Sequence, residues 1–455
     1  MTSSEKYLAD IRNGNPISSK EQLMLILTLS WPAILAMMST NIMELIDAGM
    51  VGSLGGHASA SIGLVASSTW LINGICSGFI YGFSVQTAQS IGAKQFDHAR
   101  NLCRQGLVTI LTVGITIGLI GLFISPNVPI WLGGEAELIH DASAYLAIFC
   151  MTLPFGLLNS WAVQMLQSAG NTKLPGITMM VMCLFDVLFN YLFIFVLNLG
   201  VMGAALGTSS ATICSSLFLA WQVLFKEPML KGAFHFHFTK HSIQQAIRIG
   251  VPISLEQVVM GSSHVMFTRI VAPAGTVGIA ANSFAITVEG LCYMPGYGIA
   301  SAATSIIGQC VGADRKRLTH DLGWRIVRIG VGAMTCSGVL MFVCAPFFMN
   351  LLTPVPEIAS LGATILRIEA FAEPMYGASI VVTGILRGKG DTLWPAILNL
   401  VSVWCVRIPL AMILFGQYGV VGAWISMAVE LNVRGLLFLW RMKSSWKKLD
   451  AAAQS

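Results

Sequence analysis

The sequence predicts an all-α integral membrane protein in which twelve transmembrane helices form two pseudo-symmetric six-helix bundles. An apolar composition and an internal repeat lead to this prediction. Of the 455 residues, 55% are hydrophobic and only 10% are charged, whereas soluble domains carry about 25% charged residues. Little of the chain can lie outside a bilayer, and its basic residues are split among short loops, so nucleic acid is not an expected partner.

Twelve segments are long enough to cross a bilayer, which takes about 20 mainly apolar residues. Glycine and proline mark many of the joints between them. The predicted spans are 23–48, 61–88, 105–125, 141–167, 176–198, 202–225, 245–270, 278–308, 325–350, 360–386, 395–416 and 420–441. They divide the chain into a tail (1–22), an N-lobe (23–225), a linker (226–244), a C-lobe (245–441) and a second tail (442–455).

Lysine and arginine mark one side of the membrane. They occur in both tails and after the second, sixth, eighth and tenth spans, with Arg269 as the main exception. The alternate connections at 49–60, 126–140, 199–201, 351–359 and 417–419 contain neither residue. Because cytoplasmic loops carry the excess of basic residues, both termini are predicted to be cytoplasmic.

An internal repeat recurs at an offset of about 220 residues. Pro32 matches Pro252, QSIGA at 89–93 matches QCVGA at 309–313, and GNTKLP at 170–175 matches GDTLWP at 390–395. Such regular spacing indicates two homologous halves. Since six spans per half is an even number, both halves enter the membrane from the same side. They are expected to form parallel repeats with a pathway between them, a common transporter plan.

Acidic residues inside spans are costly and are functional candidates by default. They are Glu44, Asp47, Asp186, Glu256, Glu289, Glu369, Glu373 and Glu430. Hydrogen bonding between packed helices is the alternative for each. That alternative is strongest for Glu369, which lies close to Arg367, and for Glu430, which has Arg434 one turn later.

Four polar side chains can converge in the outer half of the N-lobe. Asp47 ends the first span, and Asp186 lies about 17 Å into the fifth at 1.5 Å per residue. Asn190 follows one turn later on the same face, and Thr208 lies near the outer end of the sixth span. Carboxylate, amide and hydroxyl oxygens suit Na⁺, and a desolvated aspartate suits proton exchange. Both ions remain candidates.

In the C-lobe, Glu256, Glu289 and Glu373 all fall near the middle of the membrane. They are candidates for binding a cationic substrate or a second proton, or for joining helices through hydrogen bonds. A stripe of methionine and aromatic residues, including Trp161 and Met260, is a candidate wall for varied apolar ligands.

Motifs of soluble enzymes are missing from the sequence. It contains neither GxxxxGK[ST] nor HExxH, so we predict no enzyme activity, no catalytic residues and no cofactor besides a coupling ion. Its ten cysteines form no CxxC pair and are expected to be small buried residues. His235 and His237 are a candidate metal pair, although a solvated loop is the simpler interpretation.

Motifs across nearly the whole chain resemble the multidrug and toxic compound extrusion (MATE) family of prokaryotes. They are LIDAGMVGSLG at 45–55, QSIGAKQ at 89–95 with QCVGADR at 309–315, QSAGNTKLP at 167–175, FDVLFNYLFIF at 185–195, GVMGAALGT at 200–208 and ILRGKGDTLWP at 385–395. The resemblance implies a twelve-helix antiporter of the bacterial inner membrane. Such proteins expel organic cations or amphipathic drugs in exchange for Na⁺ or H⁺.

The resemblance also assigns individual residues. Asp47 matches the family's first-helix aspartate and Thr208 its sixth-helix threonine, whereas the fifth-helix pair, Asp186 and Asn190, stands in reversed order. Met260 and Tyr376 occupy positions where members with a C-lobe ion site carry acids, and with Trp161 they are our candidates for the substrate cavity. Glu44, one turn before Asp47, is a candidate proton relay.

The sequence therefore predicts an exporter that alternates between two open states and works as a monomer in the lipid bilayer. Two alternatives remain. A flippase for lipid-linked saccharides, a function of related two-lobe folds, would have a strongly cationic cavity. A membrane enzyme or receptor would need a catalytic cluster or a large domain outside the membrane.

Overall fold

The computed structural model describes residues 3–232 and 237–451. Of the two histidines considered as a metal pair, His235 lies outside the described residues. The described part is helical almost throughout, and no strand is found within it. The predicted all-α fold is confirmed.

The first half of the chain forms six crossings. They are preceded by the short α1 (Ser3–Asn13), whose Leu8 and Ile11 are fully buried. The crossings are α2 (Ser19–Gly52), α3 (Gly56–Gly92), α4 (Phe96–Ile124), α6 (Ala136–Ser168), α7 (Lys173–Tyr191) and α8 (Gly200–Trp221), with the single turn α5 (Val128–Trp131) between α4 and α6. Turns of π-helix at Leu192–Val196 and Gln222–Lys226 extend α7 and α8.

The second half forms six more crossings. Its helices are α9 (Lys240–Val271), α10 (Gly275–Gly312), α11 (Lys316–Leu352), α12 (Pro356–Ala370), α13 (Glu373–Gly388), α14 (Leu393–Ser402) and α15 (Ile408–Ala451). Helices α12 and α13 bend into one crossing. A π-helical turn at Val403–Arg407 joins α14 to α15, and α15 breaks at Gly419, where φ is 58°. All twelve predicted spans are thus present in the described part of the chain.

The repeat predicted from the sequence is visible in the backbone. The residue after each QxxGA motif, Lys94 and Asp314, has a positive φ of 60° and 51°. The glycines of GNTKLP and GDTLWP take φ values of 87° and 81°, and Gly200 and Gly419 take 57° and 58°. Matching joints of the two halves therefore turn in the same way, as a parallel repeat requires.

The two lobes meet mainly along four helices. Helix α2 packs against α10, and α3 packs against α9. The N-lobe has its own core around Phe83 and Trp161, and one core of the second half surrounds Trp424. Another core, around Ile306, also includes Leu29 of α2, so apolar packing crosses the boundary between the lobes.

Hydrogen bonds close the lobes at one end, which we call the near end because α1 lies there; the opposite end is the far end. Ser301 Oγ donates to Gln167 Oε1 at 2.6 Å, and Ser305 Oγ donates to the Gln167 carbonyl at 2.5 Å. Gln309 Nε2 donates to the Ser168 carbonyl at 2.8 Å, and Gln89 Nε2 donates to the Gly388 carbonyl at 3.0 Å. All four bonds join one lobe to the other.

The close approach at the near end depends on glycine. A Cβ atom added at Gly312 would overlap the carbonyl oxygen of Gln89, and one at Gly92 would overlap that of Gln309. The two sites are equivalent in the repeat, so each lobe uses its own glycine to admit a backbone oxygen of the other.

We predict that Gly312→Ala destabilises the near-end contact by about 1–3 kcal/mol, because the added methyl group must displace backbone atoms. The melting temperature of the purified protein is expected to fall. Gly332→Ala is the matched control, since a Cβ at Gly332 meets no atom within 4 Å. An equal or higher melting temperature for Gly312→Ala than for Gly332→Ala would contradict the assignment.

Candidate functional site

Asn190 joins the two N-lobe aspartates. Its side-chain amide donates to Asp47 Oδ1 at 2.8 Å and to Asp186 Oδ2 at 3.1 Å. Asp186 and Asn190 are one turn apart on α7 and almost completely buried, while Asp47 comes from the last part of α2. The first and fifth crossings are thus connected through one amide group placed between two carboxyl groups.

Two acceptors in this cluster have no hydrogen-bond donor. Asp186 Oδ1 and Asn190 Oδ1 are buried, and neither has a partner within the described residues. Thr208 on α8 lies within hydrogen-bonding reach of Asp186. Gly207 lets α8 approach this closely, because a Cβ there would overlap Asn190 Oδ1. The structure brings together the predicted set of Asp47, Asp186, Asn190 and Thr208. Two of its oxygen atoms are free to bind a proton or a cation.

Glu44 lies apart from this cluster. It is exposed on α2, one turn before Asp47, and it makes no hydrogen bond within the described part of the chain. Its role as a relay stays a prediction.

A cavity of about 760 Å³ lies between the lobes. The N-lobe contributes mainly uncharged side chains to its wall, among them Met37, Trp70 and Tyr81. Met260 and Tyr376 line the opposite wall, as predicted, and Leu132 from the far-end connection also lines the cavity. The cavity therefore extends toward the far end, while the hydrogen bonds described above close the near end.

Trp161 does not line the cavity, and its predicted place there is wrong. The indole is fully buried in the N-lobe core beside Phe83 and Leu102. Gly106 on α4 leaves room for the ring to pack inside the bundle. Residue type does not show whether a side chain is buried inside the lobe or lies on its surface. An apolar residue suits a core and a lipid-facing or cavity-lining surface equally well.

The C-lobe wall of the cavity contains an ion pair. Arg387 Nη2 donates to Glu256 Oε2 at 3.0 Å, and Asn399 Nδ2 donates to Glu256 Oε1 at 2.7 Å. Glu256 is thus engaged by two donors. Arg387 was expected in a loop after the tenth span, but α13 continues through it and its guanidinium reaches over the ring of Tyr81 at 5.2 Å. The sequence did contain a signal for this pair: a basic residue, Arg387, directly follows the tenth predicted span, within reach of the acid Glu256 on the seventh.

A second charged group lies on the same wall. Glu430 accepts hydrogen bonds from Arg407 Nη2 at 2.7 Å and from Arg434 Nε at 2.7 Å. Ser402 also donates to it. The predicted pairing of Glu430 with Arg434 is present, and Arg407 joins it from the π-helical turn between α14 and α15.

Three other acids of the C-lobe lie close together and away from Glu256. Glu289 lines the cavity, whereas Glu369 and Glu373 are fully buried on either side of the bend between α12 and α13. None of the four carboxyl oxygens of Glu369 and Glu373 has a hydrogen-bond partner among the described residues. The expected pairing of Glu369 with Arg367 is wrong, because the two side chains leave α12 on different faces: Arg367 is exposed and Glu369 is buried.

The fold and the cavity define a two-lobe membrane transport protein, in which acidic and basic groups face a pathway between parallel repeats. A protein-family model described as MatE matches residues 32–192 and again 252–413. The chain belongs to this family of multidrug efflux transporters. The two matches begin at the equivalent prolines of the repeat, so the family's unit occurs once in each lobe.

Known proteins resemble the chain over almost its full length. A probable multidrug resistance protein NorM of Thermotoga maritima is 26% identical over 428 residues, covering 90% of this chain and 91% of that protein. A NorM of Brucella suis described in the same way is 27% identical, covering 95% of both. A crystal structure of MATE in complex with MaL6 has a TM-score of 0.91 at 22% identity, covering 98% of this chain and 100% of that one. A mutant of the Vibrio cholerae MATE transporter VcmN has a TM-score of 0.88 at 19% identity, with 98% and 99% covered.

We predict that Glu430→Gln destabilises the protein by about 3–5 kcal/mol, because two buried guanidinium groups lose the carboxylate to which both are bonded. Glu357→Gln, at an exposed acid in the first turn of α12, is the control and should change stability by less than about 0.5 kcal/mol. Denaturant unfolding of both variants in detergent tests this. Equal stabilities would show that the two arginines do not depend on Glu430.

Proposed function

We propose that this protein is an ion-coupled exporter that exchanges amphipathic organic compounds for Na⁺ or H⁺. The observation that carries the proposal is the N-lobe cluster, where Asp47 and Asp186 share the amide of Asn190 and buried oxygens remain without donors. An ionisable group in the membrane interior is costly, so by default it marks a functional site. The cluster therefore serves as the ion site.

The donor set supports either ion. Oxygen atoms of Asp47, Asp186, Asn190 and Thr208 would hold Na⁺ through hard ligands. A proton would instead sit on one of the two carboxyl groups, as in other pairs of carboxyl groups that share a site. Either ion removes the repulsion between the two aspartates. Glu44, exposed one turn away, would pass a proton to Asp47.

The contacts between the lobes support alternating access. In this state the near end is closed by the bonds from Gln89, Ser301, Ser305 and Gln309, while the cavity extends toward the far end. By the positive-inside rule the basic residues of the tails support a cytoplasmic near end. With that orientation the state is outward-facing, ready to release a compound and to take up an ion in a bacterial inner membrane.

The cavity suits amphipathic compounds with a cationic group. Met37, Trp70 and Met260 provide adaptable apolar walls, and Glu289 is the acid on the wall without a bound base. Glu373 does not line the cavity and its carboxyl oxygens have no hydrogen-bond partner within the described residues, so of its three predicted roles we retain only that of a proton carrier. Glu256 is already held by Arg387, and a substrate would have to compete with this pair.

A flippase for lipid-linked saccharides is the second candidate, because Arg387, Arg407 and Arg434 all line the cavity. This is more positive charge than the sequence suggested. A relative in fold, from Pyrococcus furiosus, is described by the phrase "reverse polarity of binding pocket suggests different function". Here, however, Glu256 and Glu430 pair with the three arginines, and Glu289 adds a third acid to the wall. The wall as a whole is of mixed charge, which favours export of amphipathic compounds.

We predict that Asp47→Asn lowers ion-driven export about tenfold or more, the effect of losing roughly 1.4 kcal/mol of ion binding. The amide keeps the shape of the side chain but removes its charge. Transport by reconstituted protein provides the measurement. Asp97→Asn, whose side chain is 98% exposed at the near end, is the control. Ion-driven export by the Asp47→Asn protein at the wild-type rate would contradict the proposal.

The coupling ion is identified by comparing proteoliposomes under a pure sodium gradient with those under a pure proton gradient. One gradient should drive export of a fluorescent organic cation, and Asp47→Asn should abolish that response. Export of the cation under neither gradient, with transbilayer movement of a labelled saccharide lipid instead, would favour the flippase.

A further inference from the structure

A second cavity lies outside the transport pathway, on the lipid-facing side of the C-lobe. This groove, of about 650 Å³, runs between α12 and the second part of α15. Its lining includes Arg367, Phe371, Asn432 and Leu436. Phe371 and Leu436 are 73% and 59% exposed, which places the groove on the surface that faces hydrocarbon.

Arg367 has no acidic partner within residues 3–232 and 237–451, where it forms no ion pair. Its guanidinium lies beside Phe342, with Nε donating to the carbonyl at 3.4 Å and Cζ 5.7 Å from the ring centroid. An arginine facing lipid costs about 2.5–3.5 kcal/mol by insertion scales. An anion in the groove would offset this cost.

The groove has one charged side chain, Arg367, on α12 and a largely apolar wall along α15. Helix α12 begins at the far end, and the Cα of Arg367 lies about 16 Å below Pro356, with its guanidinium beside the Phe342 carbonyl. Phe371 and Leu436 line the deeper part. Along α15 the lining residues from Ile425 to Leu436 cover about 16 Å, a length suited to an acyl chain.

We propose that this groove binds a phospholipid of the far leaflet, with its phosphate on Arg367 and one acyl chain between α12 and α15. Charge complementarity selects this occupant, because the membrane is the phase that surrounds the groove and phosphodiesters are its anions. An anionic lipid binds better than a zwitterionic one, since its headgroup brings no ammonium group close to the guanidinium. The groove adjoins the bend at Phe371, so the lipid also packs against the joint of the tenth crossing.

Photo-crosslinking in nanodiscs of equal phosphatidylglycerol and phosphatidylcholine tests the site. With p-benzoylphenylalanine in place of Phe371, phosphatidylglycerol should be captured about fivefold over phosphatidylcholine, the ratio for roughly one favourable charge contact. The control position is Phe347 on α11, also lipid-facing at 66% exposure but outside the groove. There the two lipids should be captured equally.

Substitution of Arg367 separates recognition from folding. Arg367→Gln should bring the ratio at position 371 to that at position 347, and Arg367→Lys should retain part of the preference. A melting temperature equal to that of the wild type establishes that Arg367→Gln is folded. If Arg367→Gln melts at a lower temperature, the capture ratio of Arg367→Lys relative to wild type decides instead. Equal ratios at both positions in the wild-type background, an unchanged ratio in the arginine variants, or capture of a transported cation in place of lipid would overturn the proposal.

Discussion

A charge in hydrocarbon is stable only beside a partner, and this constraint explains how the polar groups of both lobes are arranged. Glu430 binds two arginines, and Glu256 binds Arg387 and Asn399. These groups fasten α9, α13, α14 and α15 to one another. The constraint is not met at one oxygen of Asp186 or at Glu369 and Glu373, whose carboxyl oxygens have no donor among the described residues.

The two lobes meet the same constraint differently despite their common origin. The N-lobe has one compact cluster, centred on Asn190, and otherwise presents an uncharged wall to the cavity. The C-lobe carries ion pairs on its wall and buried acids behind it. The backbone joints of the repeat match closely, and the lobes differ chiefly in their side chains and in the bend between α12 and α13, whose counterpart α6 is a single helix. One fold thus carries the ion site that we propose in one half and a charged wall in the other.

Most of the fold could be predicted from the sequence, because span length, loop charge and the repeat are each set by the bilayer. The N-lobe cluster was also within reach, since helical rise places Asp47, Asp186 and Asn190 at compatible depths. Partners across helices were harder. The depth of a residue in the membrane does not show on which face of its helix the side chain lies. Glu369 was therefore assigned to Arg367, although the two side chains leave α12 on different faces. Trp161 was misplaced for the same reason, and Arg387 because α13 extends farther than apolarity alone suggests.

The near-end closure has an energetic consequence. The four hydrogen bonds described above, at about 1 kcal/mol each, contribute roughly 4 kcal/mol to it. One elementary charge crossing 100 mV releases about 2.3 kcal/mol. This contribution is therefore of the same size as the work released when one or two charges cross the membrane. A seal much stronger than this would hold the protein in a single state, and a much weaker one would let the bilayer leak. The glutamine and serine side chains at the near end therefore contribute an energy comparable to that released when one charge crosses the membrane voltage.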